Sequence, residues 1–235
     1  MNSYNGYDVI TDVMIDTNVR FIRINPTDLR LSLITIFNSL MDVSWINYFF
    51  GDNPVLKDSV TKRAMPTIEK FNSEFQSGEA VSVNKDTGEL MVSEISRRTL
   101  VERYGYFSMP IGDLFKQKVT GNPGFDFFSI NHEEIILFGE AKYVSRSTPC
   151  DKAFNQIADF IDKGKDSKDM WDVEKFIPER KVAQLNFLNG QKGYVGSFSS
   201  KKETDQELID KIKNLSSYKS LQAAYPEIIC IGINL

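Results

Sequence analysis

Residues 121–143, GNPGFDFFSINHEEIILFGEAKY, decide the fold of this chain. Phe125–Ile130 and Ile135–Tyr143 are apolar, β-branched or aromatic runs, and the polar Asn131-His132-Glu133-Glu134 interrupts them. Two such runs around a short polar break predict a β-hairpin. Ile135, Ile136, Leu137 and Phe138 are apolar on both parities, which predicts a central strand covered on both faces. Three charged residues interrupt this greasy hairpin: Asp126 in the first run, Glu140 and Lys142 at the end of the second. Side chains alternate along a strand, so Glu140 and Lys142 share one face and Ala141 takes the other. A turn of three or five residues sets Asp126 opposite Glu140; an even-length turn offsets them by one position.

Charges buried singly cost several kcal/mol, so these three must pair or bind something. One reading is a structural ion pair between Lys142 and one carboxylate, which leaves the other carboxylate unpaired. The other is a site for a hard divalent cation such as Mg²⁺, with water and phosphate oxygen completing the shell. Lys142 would then orient or deprotonate water, or neutralise charge on a phosphate.

An Asp, a spacer and Glu-x-Lys on the following strand resemble the active site of the PD-(D/E)XK nuclease superfamily. The matching residues are Asp126, Glu140 and Lys142, with Ala141 as the small x and 14 residues from Asp126 to Glu140. The motif's proline lies at Pro123, three positions before Asp126, and not directly before it. The resemblance implies an α/β fold: a restriction-endonuclease-like core, in which helices flank a central mixed sheet, over residues 93–235. Residues 1–92 form a mostly helical N-terminal α+β extension, a possible partner-docking region. It also implies Mg²⁺-dependent hydrolysis of DNA phosphodiester bonds, with Mn²⁺ able to substitute. Asp126 and Glu140 would be the metal ligands and Lys142 the residue that positions water.

The superfamily's core opens on a helix that supplies a further acid. Here SEISRRTLVERYGYF, from Ser93, offers Glu102 and Glu94, with Glu102 preferred for its mid-helix place beside Val101 and Tyr104. Asp151–Lys163 is an amphipathic helix with Gln156 as a polar intruder. Gln156-x-x-x-Phe160 resembles a glutamine-to-tyrosine spacing of recombination nucleases, with phenylalanine in place of the tyrosine. The wording Phe-Gly-Glu-Ala-Lys-Tyr further resembles nuclease subunits of bacterial phage-defence operons of the Hachiman type. That likeness implies a partner such as a helicase or another ATPase.

Composition sets the frame. The chain has 235 residues, 41% hydrophobic and 26% charged, enough for a sizeable core, with a net charge of −4. That balance predicts no overall nucleic-acid footprint, although a local basic cleft is compatible with it. Cys150 and Cys230 lie too far apart in sequence for a metal-binding spacing, which fits reduced thiols in a cytoplasmic protein. No apolar run reaches membrane-spanning length and no leader pattern opens the chain. His132 lies in the hairpin turn, which excludes histidine-based nucleophilic catalysis, and no phosphate-binding loop of the GxxxxGK type is present.

In chain order, residues 1–25 predict one or two strands and residues 29–51 a helical stretch that ends at Gly51 and carries the aromatic cluster Trp45, Tyr48, Phe49 and Phe50. Pro54–Phe75 reads as helix with Pro66 as a kink or a second start. Val81–Val83 and Glu89–Val92 read as a small hairpin around Lys85–Gly88. Met170–Leu188 reads as helix on either side of Pro178. Tyr194–Phe198 is a strand, Thr204–Leu221 a helix with a Thr204–Glu207 capping box, and Ile228–Asn234 a last strand. Two alternatives to the nuclease reading are a catalytically inactive member of the same fold that binds or assembles, and an unrelated α/β protein whose charges form an ion-pair cluster.

Overall fold

The predicted hairpin forms as β4 (Phe127–Ile130) and β5 (Ile136–Lys142), antiparallel and joined by residues 131–135. We describe it in a computed structural model, over residues 6–76, 85–116 and 124–235. Asn131 builds the turn: its Oδ1 accepts the N–H groups of Glu133 and Ile135, at 2.9 and 2.8 Å. That side-chain mimicry of a backbone turn is what asparagine does best in such positions. The turn has odd length, and the register runs from Ile130 opposite Ile136 to Phe127 opposite Gly139, where the regular pairing stops one residue after Asp126.

The hairpin lies in a seven-stranded mixed sheet of order β1-β2-β7-β6-β5-β4-β3. Its other members are β1 (Tyr7–Asp16), β2 (Val19–Pro26), β3 (Phe107–Ser108), β6 (Lys192–Ser200) and β7 (Glu227–Asn234). Strands β2, β7, β6 and β5 run parallel, and β1, β4 and β3 are antiparallel additions at the two edges. Parallel strands are buried on both faces, and Ile136, Phe138, Val195, Ile229 and Ile231 are all sealed from solvent.

Helix α4 (Lys85–Tyr104) and helix α6 (Cys150–Asp162) both pack on β5. Phe160 of α6 meets Phe125 edge-on at 5.2 Å, and Phe125 in turn meets Phe138 at 5.3 Å. The even-numbered face of β5 therefore carries an aromatic layer up to the position where Glu140 begins. After α6 come α7 (Lys165–Val173), a single 3₁₀ turn (Glu174–Phe176) and α8 (Lys181–Leu188) before β6. Helices α9 (Asp205–Asn214) and α10 (Ser216–Ala224) link β6 to β7. The Thr204–Glu207 capping box closes the start of α9 in both directions.

Upstream of α4 lie α1 (Leu29–Met41), α2 (Ser44–Phe50) and α3 (Pro54–Gln76). Pro66 sits inside α3 without ending it. The hairpin expected over residues 81–92 is corrected for its second half: Lys85–Val92 is the first part of α4, and Val81–Val83 lie outside the described residues. The apolar residues there serve a helix, with Met91, Val92 and Ile95 buried together. The expected division at residues 92 and 93 falls inside α4, and the β1–β2 hairpin from the N-terminal part extends the same sheet through β7. The aromatic cluster of α2 turns inward: Phe50 is buried and Phe49 and Phe50 pack on Phe176, while Tyr48 stays exposed. Among the described residues no single helix is long and apolar enough to cross a membrane; the bent pair α1–α2 passes only when joined, and its Ile36, Leu40, Ile46 and Phe50 are core residues.

Candidate functional site

Asp126 lies at a bend one residue before β4, where the ladder has let go of the chain. Its N–H donates to the Gly139 carbonyl at 2.8 Å and its carbonyl accepts from Gly112 N–H at 2.7 Å. Its carboxylate takes over a ladder bond: Oδ2 accepts the Ala141 N–H at 2.8 Å. The side chain is thereby fixed beside the Glu140–Ala141 peptide.

Glu140 follows the apolar stretch of β5 and is only 1% exposed. Lys142 reaches back two residues along the same face, its Nζ 2.5 Å from Glu140 Oε1. Glu140 Oε2 is buried and has no hydrogen-bond partner. A buried carboxylate oxygen left bare is a standing deficit of a few kcal/mol unless a proton, a cation or water fills it.

The electrostatics agree with crowding. Burial raises Asp126 to about 6, against the pull of Lys142 and the Ala141 N–H. Burial, then the nearby Asp126 carboxylate, pushes Glu140 well above the usual carboxylate range. Burial depresses Lys142, but Glu140 and Asp126 outweigh it and its pKa is raised. The bond of Asp126 to the Ala141 N–H and that of Lys142 to Glu140 hold Asp126, Glu140 and Lys142 together where β5 ends.

Asp126 opens onto a cleft of about 300 Å³ lined by Thr67 and Lys70 of α3, Asp86, Glu89, Leu90 and Ser93 of α4, and Ile111 and Asp113. Asp113 belongs to the short helix α5 (Gly112–Phe115). Glu140 and Lys142 do not line the cleft, but Glu89 acts on Lys142 from it, adding to the rise of the lysine's pKa.

The two helix glutamates singled out in sequence lie elsewhere. Glu102 is 43% exposed at its side chain and pairs with Arg98, one turn earlier, at 2.6 Å. Glu94 is buried, but it is bound on both oxygens: Arg97 Nη2 and Ser39 Oγ meet Oε1 at 2.7 and 2.6 Å, and Arg97 Nε meets Oε2 at 2.7 Å. Neither lines the cleft that Asp126 lines. Gln156 is half-buried on α6, one turn before the buried Phe160, and is also absent from that lining. Of the two acids of α4 that line the cleft, Asp86 and Glu89, Glu89 is the one that acts on Lys142. It was missed because its stretch reads as strand, and the only sequence signal for it is helical spacing with Val92 and Ile95.

The donor set suits a hard cation in chemistry, with two carboxylates, one of them carrying a bare oxygen. Among the described residues no three His, Cys, Asp or Glu side chains stand close enough together to form a complete protein-only metal site. Mg²⁺ commonly takes one or two carboxylates and completes its shell with water and substrate phosphate, so this set fits that mode of binding.

No family model, curated protein or solved structure matches the chain. What the arrangement can do therefore rests on its own chemistry.

Proposed function

We propose that this chain is a metal-dependent nuclease that hydrolyses DNA phosphodiester bonds on a restriction-endonuclease-like core. The observation that carries the reading is the bare, buried Oε2 of Glu140 beside Asp126 and Lys142. In a simple structural ion pair the carboxylate is satisfied by its ammonium; here Lys142 bonds one oxygen of Glu140, and the other buried oxygen has no hydrogen-bond partner. In this reading Asp126 and Glu140 hold Mg²⁺, or Mn²⁺ in its place, and Glu89 is the auxiliary acid, in preference to Glu102. A bound divalent cation supplies Lewis-acid stabilisation of a phosphate oxygen and lowers the pKa of water. The chain's own residues do the rest. The Ala141 N–H holds the Asp126 carboxylate in place. Lys142 keeps its proton, since neighbouring carboxylates raise its pKa, and so it orients water or neutralises phosphate charge and does not serve as the base. Gln156 keeps only a supporting role on α6.

In this proposal, which draws on the resemblance to defence nucleases, the chain works in the cytoplasm with a helicase or other ATPase that restrains it. The test is cleavage of labelled DNA in Mg²⁺ by wild type, Glu140→Ala and Lys142→Ala, with and without the products of neighbouring genes. Metal-dependent cleavage lost in both variants is the expected result. A second reading, an inactive member that binds nucleic acid or assembles a complex, draws on the lack of a three-ligand group among the described residues. DNA binding with no cleavage under any divalent metal would favour it.

A further inference from the structure

The dipeptide Phe125–Asp126 lies just before β4, outside its regular pairing, and each of its four backbone polar groups has a partner. Gly139 and Gly112 serve the two of Asp126. The two of Phe125 are served by side chains. Asp169 Oδ2, on α7, accepts the Phe125 N–H at 2.7 Å, and Lys116 Nζ donates to the Phe125 carbonyl. Lys116 and Asp169 also pair with each other at 3.2 Å, with side chains only 13% and 12% exposed. The ammonium additionally lies 5.4 Å from the centre of the Phe128 ring. Room for this pair is made at Gly124, where an added Cβ would fall 2.3 Å from Asp169 Oδ1 and 2.7 Å from Lys116 Nζ.

We propose that the Asp169–Lys116 ion pair is a clasp that positions the Asp126 carboxylate for metal and phosphate, with Asp169 as the positioning residue. Its consequence for catalysis rests on the nuclease reading; its geometry does not. An irregular segment has no ladder to fix its direction, and a carboxylate on it swings unless its backbone is tied on both sides. The ion pair ties the peptide groups just before Asp126, and the Ala141 N–H ties its far end. Lys116 also adds positive charge close enough to favour the ionised forms of both Asp126 and Glu140. Groups one step behind a metal ligand commonly set metal affinity by about 10–100-fold.

The experiment compares wild type, Asp169→Ala, Asp169→Asn and Gly124→Ala in the full chain. The first readout is amide hydrogen exchange at Ala141, measured against amides inside the β6–β7 ladder. Asp169→Ala and Gly124→Ala are expected to speed Ala141 exchange about tenfold while the ladder amides hold. Asp169→Asn is expected to keep most of the protection, because its amide oxygen still accepts the Phe125 N–H. The second readout is Mn²⁺ binding by the intact chain, expected to weaken about tenfold in Asp169→Ala with a smaller change in Asp169→Asn. Ala141 exchange that stays at the wild-type rate, or rises only in step with the ladder, would overturn the clasp. Wild type that binds no Mn²⁺ would instead overturn the nuclease reading, with the exchange arm still deciding the clasp.

Discussion

Glu94 and Glu140 are each 1% exposed, and they are opposites. Glu94 sits in α4 with both oxygens bonded to Arg97 and Ser39, and its pocket lies among Trp45, Phe49 and Leu114. Glu140 sits at the end of β5 with one oxygen on Lys142 and the other bare. Equal burial goes with unequal satisfaction. The first is a completed ion pair in a low-dielectric setting; the second leaves a buried oxygen that a proton, a cation or water can fill.

Stability should break the pair apart most sharply. Removing Glu94 leaves Arg97 buried and uncompensated, so Glu94→Ala should cost about 3–5 kcal/mol in chemical denaturation. Glu140→Gln should change stability by roughly 1 kcal/mol or less, because it substitutes an uncharged group where burial already disfavours the charge. Equal losses would mean that Glu140 is as structural as Glu94.

The next difference is a pH dependence. In the folded chain Asp126 keeps its proton to about 6, against 3.8 for its ordinary carboxyl. Between those values the folded state binds more protons at Asp126 than the unfolded state, so without divalent metal the contribution of this carboxyl to stability is fully present below about pH 4 and is lost as pH rises to about 6. Glu140, also raised, acts with the same sign. The fall should amount to on the order of a few kcal/mol, should flatten in Asp126→Asn, and should shrink when Mg²⁺ is added. Melting curves across pH, with and without metal, check all three.

A packing test sharpens the geometry. Phe127 covers Gly139, and an added Cβ would lie 2.3 Å from its ring. Gly139→Ala should therefore cost about 1–3 kcal/mol and displace the strand that carries Glu140. The smallest effect is expected at Glu102, an exposed partner of Arg98: Glu102→Ala should cost about 0.3–0.5 kcal/mol and leave cleavage unchanged. Glu89→Ala should likewise leave stability near wild type while reducing metal-dependent cleavage.

The sequence was most legible where local signals agree. The apolar runs, the polar break and the odd turn length define β4 and β5, and Asp126, just before β4, has its carboxylate on the Ala141 N–H. It was less legible where one pattern serves two structures. Glu89–Val92 alternates well enough for a strand, but tertiary packing against the sheet keeps it in α4, so the acids that line the cleft, Asp86 and Glu89, lie at least a full turn before the glutamates that the strand reading leaves to the helix. Nor do local signals reveal the Lys116–Asp169 clasp, whose partners lie 53 residues apart. The joining of the N-terminal hairpin to β7 is likewise a long-range pairing that periodicity does not encode.

The central claim is that the bare oxygen of Glu140 is kept for a divalent cation. Its most direct test is equilibrium Mn²⁺ binding to the full chain, wild type beside Glu140→Gln and Glu102→Gln. The account predicts binding in wild type and Glu102→Gln that is lost, or weakened at least tenfold, in Glu140→Gln. No binding in wild type, or equal binding in Glu140→Gln, would contradict it.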